Sequence, residues 1–122
     1  MDTPQFEQLV ARAIESLPPE ILDRLENVDV VVADEPTPHQ IRRRELGKNQ
    51  VLLGLYEGVP LTERSYNYTN VMPDKITIFK KAMESIYRTD AQIVAGVQHT
   101  VLHEIAHHFG IDDDRLHEIG RY

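Results

Sequence analysis

The sequence predicts an α+β fold in which a small mixed sheet of about four strands packs on several helices. Three observations carry this. Compact β-branched runs such as Val28–Ala33 have strand length. Longer segments place apolar residues at helical spacing. Strand and helix rarely alternate in the regular way that builds a doubly wound parallel sheet.

Pro4–Ser16 carries Phe6, Leu9, Val10, Ala13 and Ile14 along one helical face, continued by Leu17, with Thr3 as a possible cap ahead of a proline at the first helical position. Pro18 and Pro19 end that helix and can start a short second one through Leu25. Val28–Ala33 reads as a buried strand, and 34–50, with Pro36, Pro38 and the arginines, as a loop that can hold a helical turn. Val51–Tyr56 is expected to be a second strand, and Gly58 and Pro60 mark a turn. Val59–Tyr66 is a candidate third strand, polar enough for a sheet edge, and 66–73 a loop. Lys75–Phe79 is the fourth strand, leading into a helix through Tyr87.

A long helix follows, with Asp90 as N-cap and Gly110 as stop, roughly five turns apart. Val94, Val101, Leu102, Ile105 and Phe109 form its apolar stripe, bordered by Ile93 and Val97, so it should pack on the sheet. Asp112 can cap a last short helix through Ile119.

The chain has 122 residues, which fits one domain over 1–122. Hydrophobic residues make up 41% and charged residues 27%, ordinary for a soluble globular protein. With no cysteine, any metal must be held by His, Asp or Glu. A formal charge of -7 argues against nucleic acid as partner, and Arg42, Arg43 and Arg44 read as a solvated face. No apolar run approaches the ~20 residues of a membrane span, and no basic segment precedes an apolar stretch at the N-terminus. A cytoplasmic location without membrane attachment is therefore expected.

The chemistry is concentrated in His103-Glu104-Ile105-Ala106-His107-His108-Phe109-Gly110. His103 and His107 are four apart, about 40° around a helix axis, so both imidazoles can reach one ion. Glu104 sits about 100° from His103, beside the ion without needing to ligate it. A carboxylate there can take a proton from a water whose pKa zinc lowers towards ~7. Chance histidines on a solvent-facing helix are the bland alternative, and they would leave the three residues without a joint purpose. A catalytic zinc needs a third protein ligand. Asp113, six residues past His107 and beyond the turn that Gly110 permits, is the expected one, with Asp112 and Asp114 as its alternatives.

These residues, together with Leu53-Gly54-Leu55-Tyr56-Glu57-Gly58 and Leu61-Thr62-Glu63-Arg64, resemble the small single-domain bacterial zincin-like metallopeptidases. The likeness runs from the first helix to Gly120, and the spacing is similar to that of snapalysin-type peptidases. It implies a zincin-like fold, zinc at one ion per chain on His103, His107 and Asp113, Glu104 as general base, and a peptide or protein substrate. Unlike larger metzincins, the chain has no methionine after the motif.

Other residues carry lesser expectations. His99, one turn before His103, should make a polar contact at the cleft floor or support a ligand. His108 should pack or cap the helix end, and His117 should be solvated. Tyr56, Tyr66 and Tyr68 are candidate oxyanion donors. Val59–Arg64 could pair with an extended peptide. Three functions compete: a zinc peptidase, a metal-binding regulatory or peptide-binding module with little turnover, and a metal-free structural domain. The intact Glu104 favours the first.

Overall fold

In the computed structural model, which describes residues 1–43, 51–58 and 74–110, the β-branched runs form a mixed sheet. Among the described residues it has three strands: β1 (Val28–Ala33), β2 (Gly54–Glu57) and β3 (Asp74–Phe79). Their order is β1-β3-β2, with β1 parallel and β2 antiparallel to β3. Val30 lies opposite Ile76, and Tyr56 lies opposite Ile76 from the other side. The expected strand Val59–Tyr66 and the final helix from Asp112 lie outside the described residues.

Helices α1 (Thr3–Glu15), α2 (Pro19–Arg24) and α5 (Asp90–Phe109) bury their apolar sides in one core with the sheet. Phe6, Leu9, Val10 and Ala13 from α1 meet Ile76 and Ile78 from β3 and Val97, Val101, Leu102 and Ile105 from α5. The alternation of β3 sends Thr77 and Phe79 to the opposite face, where Phe79 joins Leu52 and Leu55 in a smaller cluster. Helices α3 (Pro38–Arg43) and α4 (Lys80–Ile86) complete the described elements.

Several boundaries differ from expectation for local reasons. Asp2, not Thr3, caps α1: its side chain accepts the Gln5 N–H while the Gln5 side chain accepts the Asp2 N–H. Thr89, not Asp90, caps α5 through the same reciprocal pair with Gln92. The stretch read as a loop that can hold a helical turn has one, α3, where Thr37 and Gln40 cap each other in this way. Strand β1 has the expected bounds but is not fully buried. It borders β3 on one side, and Val31 on its far face is 38% exposed. Strand β2 starts at Gly54, although Leu53 already accepts the Phe79 N–H at 3.0 Å.

Helix α5 positions the site. Ile93 and Val97, expected at the border of its stripe, are buried, whereas Phe109 is 42% exposed beneath the Arg24 guanidinium, 5.1 Å from the ring centre. The helix packs on α1 and crosses β2 closely at Gly54. A Cβ there would lie 2.6 Å from Thr100 Cγ2 and 3.1 Å from the Thr77 carbonyl oxygen, so any larger residue would force a shift at this approach. Gly110 ends the helix in the left-handed region, at φ 69°. Among the described residues no helix is long and apolar enough to cross a membrane.

Candidate active site

The last turns of α5 carry His103 and Glu104 on the side that meets β2, and His107 one turn beyond His103. Leu102, Ile105 and Ala106 are buried between and behind them, so the helical period itself turns the polar residues to one side. His103 is half-buried, His107 is exposed, and Glu104 is only 5% exposed. A carboxylate so far from water needs polar partners. One is the backbone of β2: the Tyr56 N–H donates to Glu104 Oε1 at 2.8 Å.

Beside it opens a cleft of about 290 Å³ lined by Val51, Leu52, Leu53 and Gly54 on one side and His99, Thr100, His103 and Glu104 on the other. The His99 ring stands 4.2 Å from that of His103, tilted by 57°. Although much of His99 meets solvent, desolvation of the part against the cleft lowers its pKa, and the neighbouring His103 lowers it further. It therefore lines the cleft, in contact with a candidate ligand.

His108 packs, as expected, and it does so on Tyr56: the rings stack at 4.0 Å and 18°. The Tyr56 hydroxyl donates to Asp74 Oδ2 at 2.6 Å, and His108 Nε2 lies 4.0 Å from the same oxygen. A phenol has one proton, and this one is committed to Asp74, so Tyr56 is not placed as an oxyanion donor. Tyr66, Tyr68, His117 and the strand Val59–Arg64 lie outside the described residues.

Asp113 and its neighbours Asp112 and Asp114 also lie outside them, and among the described residues no three His, Asp or Glu side chains gather to hold an ion. His103 and His107 nevertheless suit zinc. They are imidazoles one turn apart on one helix, and among the described residues neither is engaged in a hydrogen bond or ion pair. Reading the sequence did not anticipate the Tyr56 N–H, Asp74 or His108 as parts of the site. Local spacing carries no sign of contacts made across 48 residues.

A helix bearing His-Glu-x-x-His, laid against strand β2 of a small mixed sheet, defines a zincin-like protein. The chain belongs to the zincin-like metallopeptidase family, whose model matches residues 25–121. Among solved structures, a conserved hypothetical protein from Thermo thermophilus shares the fold with a TM-score of 0.54. The two are 22% identical over 89% of this chain and 94% of that one. No curated protein matches the chain.

Proposed function

We propose that this chain, acting as one domain, is a zinc-dependent peptidase in which Glu104 is the general base and His103, His107 and Asp113 hold one zinc ion. The observation that carries the reading is the placement of Glu104: a nearly buried carboxylate, held by a backbone N–H, next to His103 at the wall of an open cleft. Family membership supports the same reaction class.

When bound, zinc supplies Lewis acidity that makes a water nucleophilic near neutral pH and polarises a carbonyl. The chain's own residues do the rest. The Glu104 carboxylate takes up the proton of the attacking water and can return it to the leaving amine. Its burial keeps bulk water away and strengthens each electrostatic contact it makes. Thr100 and Val51–Gly54 form the wall against which a peptide would lie. His99 borders His103 and restricts the space into which that ring can turn.

The test is metal analysis combined with cleavage of a quenched-fluorescence peptide library. The purified protein should carry about one zinc per chain, cut a subset of the library, and lose that activity on chelation. Zinc without any cleavage would point to a metal-binding module instead, and absence of tight zinc binding would remove both readings.

A further inference from the structure

Residue Tyr56 meets the site twice, once through its backbone and once through its ring. In antiparallel pairs the hydrogen-bonded positions alternate. The Phe79 N–H donates to the Leu53 carbonyl, so residues 53, 55 and 57 are the ones bonded to β3, and the N–H of Tyr56 points to the outer side of β2. There it meets Glu104 Oε1 at 2.8 Å. The ring is held independently. Its hydroxyl donates to Asp74 Oδ2 at 2.6 Å, on the neighbouring strand, and its face stacks on His108, on the same helix as Glu104. Phe109 closes the edge of the ring at 6.4 Å.

We propose that Tyr56 is a positioning residue for Glu104: Asp74 and His108 clamp its side chain so that its main-chain N–H holds the carboxylate in a fixed orientation. The proposal rests on Glu104 being the base of this site. A glutamate χ3 torsion is broad and soft, so a carboxylate at a helix surface samples many orientations. A backbone donor on a strand locked to both the sheet and the helix removes that freedom before substrate arrives, which is how preorganised sites lower a barrier. The hydrogen bond to the Asp74 carboxylate is of the short, charge-assisted kind and ties the Tyr56 side chain to β3. Ordinary packing of a tyrosine would need neither the second contact nor its coincidence with the backbone bond to Glu104.

Backbone amide exchange in the full-length protein tests the clamp. In Tyr56→Phe and Asp74→Ala, the amide of residue 56 should exchange about tenfold faster, while the amides of Val101 and Leu102 on α5 keep their protection. Asp74→Asn retains an acceptor for the phenol and should restore most of the wild-type protection. In library cleavage, Tyr56→Phe should lower kcat about tenfold and leave KM in place. Unchanged exchange at residue 56 in both disrupted variants would overturn the clamp, as would a loss shared equally with Val101 and Leu102. If the wild type cuts no peptide, the peptidase reading fails, and the exchange comparison still decides whether Glu104 is held by Tyr56.

Discussion

His103 and His107 can be recognised from sequence because a helix puts positions four apart side by side, whatever the rest of the chain does. Glu104 follows from the same geometry. Its burial and its bond to the Tyr56 N–H do not, since they depend on how β2 lies against the helix. Replacing either histidine by alanine should abolish tight zinc binding, measured by competition with a chromophoric chelator, and should remove the rise in Tm that zinc produces in the wild type. Asp113→Ala should weaken binding at least tenfold, as removal of one of three ligands requires. Asp112→Ala should cost mainly about 1 kcal/mol of helix stability, as loss of a cap does. Full zinc retention by Asp113→Ala would assign the third ligand to a neighbour.

At the scale of elements, periodicity located every described strand and the long helix, while the ends of several elements followed capping chemistry that it underweights. Asp2 and Thr89 outcompeted Thr3 and Asp90 because each has a glutamine three residues on to complete a reciprocal pair. Phe109 escaped the apolar stripe because the helix runs past the core before Gly110 stops it. The contact that matters most for the site, α5 crossing β2 at Gly54, had no sequence signal beyond the glycine itself. Gly54→Ala forces a Cβ against Thr100 Cγ2 and the Thr77 carbonyl oxygen, so β2 and α5 must part locally. That variant should lose about 1–3 kcal/mol in denaturant unfolding, typical of an overpacked site. It should also weaken the protection of the Tyr56 amide, because β2 would be displaced from Glu104.

Across the molecule, the division between what holds and what acts runs along α5. One side of the helix is sealed by α1 and β3 through Val97, Val101, Leu102 and Ile105; the other carries the polar residues of the cleft. The core therefore fixes the helix from which His103, Glu104 and His107 project. The α+β class and the mixed sheet were legible because β-branched runs and helical stripes are separate along the chain. Strand order was not, since β1 pairing in parallel with β3 depends on contacts distant in sequence. The central claim is that Glu104 is the base of a zinc peptidase, and Glu104→Gln tests it most directly, with library cleavage measured at matched zinc content. The account predicts full zinc occupancy, an intact fold and a fall in kcat of about 10²–10⁴. A variant that holds zinc and cuts peptides as fast as the wild type would contradict it.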